Sequence, residues 1–553
     1  MILNHYKGYL IILLSTCISL CGLQVSAKPG IRRPVRVVHP DGTVEMVVKK
    51  KDPYGHLRTN HRSATRGPGR FDTSFPVTGE QKVLVILAEF QDVRFNSKNK
   101  APYNSVDSYT YFSQMLNKKG FDMYGATGSA RDWFEENSCG RFLPEFDVYG
   151  PVTLPEKMAF YGGNDRRGEE PAAYKMVVDA CELLDSKIDF RDYDRNGDGY
   201  VDNVYLIYAG YGEADTVGEE DSVWPHQWTI SAASPAYTGM IGMPITLDGV
   251  KIDHYACSNE TCGIVEYDAL GNGIYGNRPD GIGTFVHEFS HVLGLPDLYS
   301  NEIYSNYKDE PFTPGEFSVM DYGPYNNEGR TPPNYSSFER QALGWITPRD
   351  IKPGEMRLDN LADSNDALIV KTDKEDEFYL FENRQQSGWD EYLPGHGMLV
   401  WHVDYNSYAF INGSVNSDKN HQYIDLVEAD GIQDYPIGKK GDEFVYPFST
   451  RTGDPFPGSS SVTSFGAGTT PPLMAWSGYN PMVELTGITE KDGIISFSAV
   501  VNGDNAVEEV GIQEGGEIPE LYDLQGRRII GDAPASGIYI MKTSAGVKKI
   551  LIK

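Results

Sequence analysis

The chain has 553 residues, too many for a single hydrophobic core, and this length predicts about two to four domains. Hydrophobic residues make up 40% and aromatic residues 12% of it, which is enough to build packed cores and excludes a disordered protein. The formal net charge of −29 argues against a nucleic-acid partner, because such a chain repels phosphates.

The first 27 residues have the pattern of a secretory signal peptide. Lys7 precedes an apolar run that begins at Leu10, and residues 25–27 (VSA) supply the small side chains that precede a cleavage site. The run is too short and too polar to span a membrane. Cys17 leaves a lipoprotein signal open as an alternative. We expect a secreted or cell-surface protein with no transmembrane span in its mature form.

Residues 28–74 form a basic segment ahead of an acidic body. Between Lys28 and Arg70, eleven lysines and arginines stand against three acidic residues. We interpret the segment as a pro-segment that lies across an acidic face of the body, with a disordered basic tail as the alternative.

Strand-like and helical segments alternate over residues 75–350, which predicts an α+β unit of catalytic size. Two apolar runs indicate buried strands, and three segments have helical periodicity. The strands are QKVLVILAEF (81–90) and VYLIYAGY (204–211), and the helices lie near 108–116, 130–136 and 172–185.

The stretch HEFSHVLGLPD (287–297) has the spacing of a catalytic metal site. On a helix, His287 and His291 are about 40° apart around the axis and roughly 6 Å apart along it, so both imidazoles reach one ion. Glu288 can reach a metal-bound water without being a ligand. Gly294 permits a sharp turn after the helix, which brings Asp297 back as a third ligand. Three protein ligands and one open position are typical of catalytic zinc.

A second motif follows at FSVMDY (317–322), where Ser318, Met320 and Tyr322 are in the register of the methionine turn beneath the metal of metzincin-type zinc peptidases. Together with the zinc motif and NYSSFERQALGW (334–345), it resembles the immune inhibitor A family of secreted bacterial metallopeptidases, over roughly residues 75–500. WPHQW, DYDRNGDGYVDNV and FENRQQSGWD, at 224–228, 192–204 and 381–390, belong to the same resemblance.

The resemblance implies a zinc-dependent endopeptidase with a metzincin-like catalytic domain, built from a twisted mixed sheet and an active-site helix. It implies that His287, His291 and Asp297 are the zinc ligands and that Glu288 is the general base. Aspartate stands where a third histidine is more usual. Tyr322 is expected to bind the metal at rest or to hydrogen-bond the tetrahedral intermediate.

A second metal site is predicted in the glycine-containing turn at 194–202. Oxygen ligands at alternating positions around a sharp turn suit calcium. The twelfth loop position is Tyr205 rather than glutamate, so this is not an EF-hand, and a solvated acidic turn is the alternative. The predicted calcium ligands are Asp194, Asn196, Asp198 and Asp202.

Cys257 and Cys262 are close enough in sequence to predict a disulfide in an exported protein. For Cys139 and Cys181 the spacing decides nothing. His226, between Trp224 and Trp228, is a rival metal ligand, but a histidine among aromatic residues is more often a core hydrogen-bonding residue. His254, His396 and His402 have the same default interpretation.

Beyond residue 350 the pattern becomes β-rich. Residues 351–502 predict strands such as DEFYLFENRQQ and HGMLVWHVD, and residues 503–517 an acidic linker. Residues 518–553 predict a small β-module of three or four strands. Its YDLQGRR and SGIYI motifs resemble the sorting domain of the type IX secretion system of Bacteroidetes, which makes that machinery an expected partner.

We therefore predict a secreted zinc endopeptidase, made as a precursor, that acts on proteins or peptides. The first alternative is a non-catalytic, metal-stabilised surface adhesin. Glu288 distinguishes the two, because an adhesin needs no general base. The second alternative is a zinc amidase acting on cell-wall peptide, which would use the same ligands.

Overall fold

The computed structural model describes the chain from residue 35 to residue 552 with gaps. The described residues are 35–38, 44–49, 75–96, 103–164, 170–216, 221–232, 242–267, 273–300, 307–433, 438–440, 443–446, 451–501, 508–509, 520–522, 537–543 and 546–552. The predicted signal peptide, most of the basic segment and most of the predicted linker lie outside them. No helix among the described residues combines the length and the apolarity needed to cross a membrane.

The elements of the described residues confirm a mixed α+β architecture. The α-helices are α1 (Ser108–Asn117), α2 (Ala130–Asn137), α3 (Met158–Gly162), α4 (Ala173–Leu184), α5 (Gly283–Val292), α6 (Ser337–Ala342), α7 (Leu361–Ser364) and α8 (Ser407–Ile411). The strands of the first half are β1 (Val35–Val38), β2 (Val44–Lys49), β3 (Gly79–Glu89), β4 (Phe142–Thr153), β5 (Val204–Tyr211), β6 (His226–Thr229), β7 (Ile245–Leu247), β8 (Val250–Ile252), β9 (His254–Thr261), β10 (Ile264–Tyr267) and β11 (Gly273–Tyr275). Those of the second half are β12 (Arg349–Asp350), β13 (Gly354–Leu358), β14 (Ala367–Lys371), β15 (Glu377–Arg384), β16 (Gly397–Asp404), β17 (Ile424–Leu426), β18 (Gly438–Lys440), β19 (Glu443–Tyr446), β20 (Ser464–Phe465), β21 (Val483–Lys491), β22 (Ile494–Val501), β23 (Glu508–Glu509), β24 (Glu520–Tyr522), β25 (Gly537–Thr543) and β26 (Gly546–Ile552).

The centre of the first half is a mixed sheet in the order β4-β3-β5-β9-β6. Strands β4, β3, β5 and β9 are parallel, and β6 pairs antiparallel with β9 at the edge. All eight residues of β5 are buried, as expected for a central strand covered on both faces. Helices α1, α2 and α5 share the core on one face, and α4 shares the core on the other. The two strands and three helices predicted from periodicity coincide with β3, β5, α1, α2 and α4.

The β-rich half is a pair of packed sheets, in the orders β12-β14-β15-β16-β17 and β13-β22-β21-β20. Successive residues of β15 point to opposite faces. Phe378 and Leu380 belong to the core that contains α5, whereas Tyr379 and Phe381 belong to the core between the two β-rich sheets. The main core therefore crosses the predicted domain boundary at 350–351, because a sheet with two apolar faces needs a cover on each.

Strands near the two ends of the chain belong to two further sheets. Strands β1 and β2, within the basic segment, lie between β10 and β19 in the order β11-β10-β1-β2-β19-β18. Strands β23, β26, β25 and β24 form a separate four-stranded sheet in the predicted C-terminal module, although β23 falls within the predicted linker. The basic segment is thus strand-paired with both halves of the protein.

Candidate active site

Helix α5 carries the HExxH motif and is fixed by the core and by a close backbone contact at its start. Phe285 packs against Tyr205 of β5 with ring centroids 4.3 Å apart. At Gly283, a Cβ atom would come within 1.9 Å of the carbonyl oxygen of Pro324, so only glycine fits there. The side chains of the whole motif are buried with the helix.

The helix ends in a Schellman motif centred on Gly294. This glycine has φ +96°, a conformation that other residues rarely adopt. Its N–H donates to the His291 carbonyl at 2.9 Å, and the Leu295 N–H donates to the Ser290 carbonyl at 3.0 Å. The turn reverses the chain directly after the second histidine, as predicted from the glycine.

Main-chain carbonyls orient both histidines. The Nδ1 atom of His287 lies 2.8 Å from the Val319 carbonyl oxygen, and that of His291 lies 2.8 Å from the Leu295 carbonyl oxygen. A carbonyl only accepts, so each Nδ1 carries the proton and each Nε2 keeps its lone pair for a metal. The two Nε2 atoms lie 3.4 Å and 3.1 Å from Oδ1 of Asp297.

The methionine turn connects the helix to the loop that carries Asp297. The Val319 carbonyl accepts from His287, and the next carbonyl, that of Met320, accepts from the Leu298 N–H at 2.8 Å. Met320 is fully buried, and its N–H donates to Ser318 Oγ at 3.0 Å. Two consecutive carbonyls of this turn therefore accept hydrogen bonds from the His287 ring and from the main chain next to Asp297.

Burial governs the electrostatics of the site. It raises the pKa of Glu288 to about 8, an effect that His287 partly offsets and to which Asp297 adds. Burial lowers the pKa of His291, but the charge and hydrogen bond of Asp297 outweigh this and raise it overall. Burial also opposes ionisation of Asp297, yet the two histidines hold its pKa well below the usual range. The pKa values of the two carboxyl groups beside the histidines are therefore shifted in opposite directions, that of Asp297 down and that of Glu288 up.

The residues present fit a zinc ion. Among the described residues, the His/Cys/Asp/Glu group with ligand atoms close enough to hold a metal is His287, Glu288 and His291, within 4.8 Å of one another. The Oε2 atom of Glu288 is buried and has no hydrogen-bond partner in the described part of the chain. Two imidazole nitrogens and a carboxylate are the donor set of a catalytic zinc site, and here the two histidines have two carboxylates close by, those of Glu288 and Asp297.

The family model described as Immune inhibitor A peptidase M6, catalytic domain, matches residues 75–346. This segment is an M6 metallopeptidase domain. Immune inhibitor A of Bacillus thuringiensis subsp. alesti is 28% identical over 300 residues, which cover 47% of this chain and 39% of that protein. Pre-pro-metalloprotease PrtV of Vibrio cholerae serotype O1 is 24% identical over 311 residues, which cover 50% and 31%. The matched part thus spans less than half the length of these relatives.

A cleft opens beside His287 and Glu288 in the M6 domain, and two tyrosines that the sequence analysis did not single out line it. Tyr299 lies nearly parallel to the His287 ring, at 17° and 6.4 Å between centroids, and Tyr325 also lines the cleft. Burial, followed by the charges of Asp297 and Glu288, raises the pKa of Tyr299 well above its usual value. The sequence signal for Tyr299 is only its place two residues after Asp297.

Tyr322, to which the sequence analysis assigned a catalytic role, is buried with 7% exposure. It is not among the described residues that line the cleft. Its main-chain N–H donates to the Gly315 carbonyl at 3.2 Å, which closes the methionine turn. The tyrosines that line the cleft are Tyr299 and Tyr325.

The predicted calcium loop turns several of its side-chain oxygen atoms onto main-chain N–H groups. Asp194 and Asn196 both accept from the Asp198 N–H, at 3.0 Å and 2.8 Å. Asp202 is 4% exposed; its Oδ2 accepts from the Arg195 N–H at 3.0 Å, and its Oδ1 is buried with no hydrogen-bond partner among the described residues. Burial raises the pKa of Asp202 to about 7, against the Arg195 hydrogen bond and with added repulsion from Asp198 and Asp194.

The predicted disulfide between Cys257 and Cys262 is not formed. Cys257 lies in β9 and Cys262 directly follows that strand, so the two are about 16 Å apart along an extended chain. A disulfide requires Cα atoms less than about 7 Å apart. Cys139 is exposed and Cys181 is buried.

His226 is a core residue, in agreement with its default interpretation. Its Nδ1 lies 2.6 Å from the Trp224 carbonyl oxygen, and its Nε2 lies 2.8 Å from the Tyr255 hydroxyl. Both ring nitrogens are therefore already engaged. His402 is likewise buried and lies 2.9 Å from Glu377.

Proposed function

We propose that this protein is a secreted zinc-dependent endopeptidase that hydrolyses peptide bonds of proteins, with Glu288 as its general base. The observation that carries the proposal is the convergence of both histidine Nε2 atoms and the Asp297 carboxylate beside a buried Glu288 oxygen that has no hydrogen-bond partner among the described residues. The M6 domain match supports the reaction class.

His287, His291 and Asp297 would hold the zinc ion. When bound, zinc supplies a Lewis acid that polarises the scissile carbonyl and lowers the pKa of water to about 7. Glu288 accepts a proton from the attacking water. The accepting atom is Oε2, which has no hydrogen-bond partner among the described residues. The raised pKa of Glu288 lets the same carboxyl group retain that proton and deliver it to the leaving amine.

Tyr322 has the proposed role of stabilising the tetrahedral intermediate, on the strength of its place in the methionine-turn motif. Tyr299 is a rival for that role, because its ring lines the cleft beside His287. The two residues are chemically equivalent donors, so single phenylalanine substitutions separate them.

The test is casein hydrolysis by the processed, secreted protein and by the same form of Glu288→Gln, with zinc quantified in both. We expect the variant to bind one zinc per chain and to lose activity, because the amide cannot accept the proton. If neither protein cleaves casein and neither binds zinc, the adhesin becomes the better hypothesis. Cleavage of peptidoglycan but not casein would favour the amidase.

The two ends of the chain have proposed roles in export and latency. Residues 1–27 would direct export, 28–74 would be a removable pro-segment, and 518–553 would be a type IX sorting module. The pairing of β1 with β10 and of β2 with β19 supports a pro-segment that docks on the folded protein. N-terminal sequencing of the secreted protein tests this, since a start at Lys28 would show that the segment is retained.

A structural calcium ion in the loop 194–202 completes the proposal. The buried Oδ1 of Asp202 supports it, because an unpartnered buried carboxylate oxygen is costly without a cation or a proton. The loop directly precedes β5, the central strand of the M6 sheet, so the ion would stabilise the domain rather than take part in catalysis.

A further inference from the structure

Side chains of the β-rich half reach the loops around the candidate metal site. Three of them donate hydrogen bonds to main-chain carbonyls of residues 298–313. The pairs are Asn416 with Leu298, Gln422 with Phe312, and Arg451 with Thr313. The first of these pairs lies closest to a candidate ligand, because Leu298 directly follows Asp297.

Asn416 is completely buried, and its amide is fully used. Its Nδ2 donates to the carbonyl oxygens of Leu298 at 2.9 Å and Ile424 at 2.8 Å, while its Oδ1 accepts from the Ile424 N–H at 3.1 Å. The reverse amide orientation would set an oxygen against two carbonyls, so the orientation is unambiguous. The two bonds to Ile424 anchor Asn416 to β17 independently of the metal site.

Both peptide groups that flank Leu298 are therefore held. The N–H of Leu298, in the peptide shared with Asp297, donates to the Met320 carbonyl at 2.8 Å. The carbonyl of Leu298, in the peptide shared with Tyr299, accepts from Asn416. With both planes fixed, the backbone that carries the Asp297 carboxylate has little freedom to rotate away from the histidines.

We propose that Asn416 is a positioning residue for the metal site, and that it sets the Asp297 carboxylate against His287 and His291 by holding the Leu298 carbonyl. The β-rich half is thereby a working part of the peptidase site. This inference rests on the proposed function and deepens it. Groups that orient metal ligands typically change metal affinity on the order of 10–100-fold when they are removed.

A purely stabilising role is the competing explanation, and Asn383 provides a matched control. It is also completely buried, and its Nδ2 donates to the carbonyls of Leu358 at 3.0 Å and Gly493 at 2.9 Å. Both partners lie in the β-rich half and not in the loop that carries Asp297. Loss of its amide group should cost similar stability without touching Asp297.

The experiment compares Asn416→Asp with Asn383→Asp in the full chain. Zinc affinity is measured by competition with a chromophoric chelator, the visible spectrum is recorded with Co²⁺ in place of zinc, and the unfolding midpoint is measured in EDTA. We expect both variants to lower the midpoint, and only Asn416→Asp to weaken zinc binding by on the order of 10–100-fold and to alter the Co²⁺ spectrum. Asn416→Ala with Asn383→Ala is the second pair if the aspartate variants fail to fold.

Two results would overturn the inference alone, given a wild type that binds zinc and cleaves casein. One is an Asn416 variant with wild-type zinc affinity and Co²⁺ spectrum, and the other is an equal loss of zinc affinity in the Asn383 variant. A wild-type chain that binds neither zinc nor Co²⁺ would instead overturn the proposed function, and this inference with it.

Discussion

Replacement of Arg384 by methionine should destabilise the whole folded unit. The side chains of Arg384, Glu382 and Asp390 have no exposure to solvent. Arg384 donates to both carboxylate oxygens of Asp390, at 2.7 Å and 2.5 Å, and to Glu382 at 3.0 Å. Asp390 also accepts from the Asn334 N–H at 2.9 Å, so the network joins β15 to the segment before α6.

The expected loss is about 3 kcal/mol, at the lower end of the roughly 3–5 kcal/mol that loss of one partner of a buried ion pair costs. The lower end applies because the nearby guanidinium of Arg340 also attracts Glu382 and Asp390 and offsets part of the loss. Arg349→Met is the matched control. Arg349 pairs with Asp366 at a similar 2.6 Å but is 53% exposed, and such surface pairs are worth about 0–1 kcal/mol.

The assay is urea unfolding followed by tryptophan fluorescence. Each midpoint is converted to a free energy of unfolding with the m-value that the variants share. Trp345 and Trp401 belong to the same core and lie on opposite sides of the predicted boundary at 350–351, so both halves should report one lowered midpoint. If the free energies of unfolding of Arg384→Met and Arg349→Met differ by less than about 1 kcal/mol, the buried network does not stabilise the fold as proposed. Two separated transitions would refute the shared core.

The remaining predictions concern the loop, the cleft and the thiols. EGTA should lower the thermal unfolding midpoint of the wild type and leave that of Asp202→Asn unchanged, because the amide removes the charge that retains calcium. A wild-type midpoint that EGTA does not change would contradict the calcium site. Tyr322→Phe should lower kcat for casein at unchanged zinc content, and a loss confined to Tyr299→Phe would transfer the role to Tyr299. The denatured, secreted chain should titrate four thiols without prior reduction, and fewer would indicate a disulfide.

Local features of the chain were predictable from the sequence. The spacing of His287 and His291 and the glycine that ends the helix depend on residues within a few positions of one another, and the helix itself sets their geometry. Strands β3 and β5 were equally predictable from the sequence, because a parallel strand covered on both faces is a continuous apolar run. The position of Asp297 beside the two histidines follows from the same short stretch.

Contacts between distant parts of the chain were decided only by the tertiary structure. Nothing near His287 predicts that its Nδ1 meets the Val319 carbonyl, and nothing near Asp297 predicts that Asn416, over a hundred residues later, holds the adjoining peptide. The close sequence spacing of Cys257 and Cys262 suggested a disulfide, but an extended strand separates the two thiols. Sequence by itself determined which groups could bind and activate a metal, because that chemistry is local. The fold decided what orients them, because orientation depends on carbonyls and amides brought together from both halves of the chain.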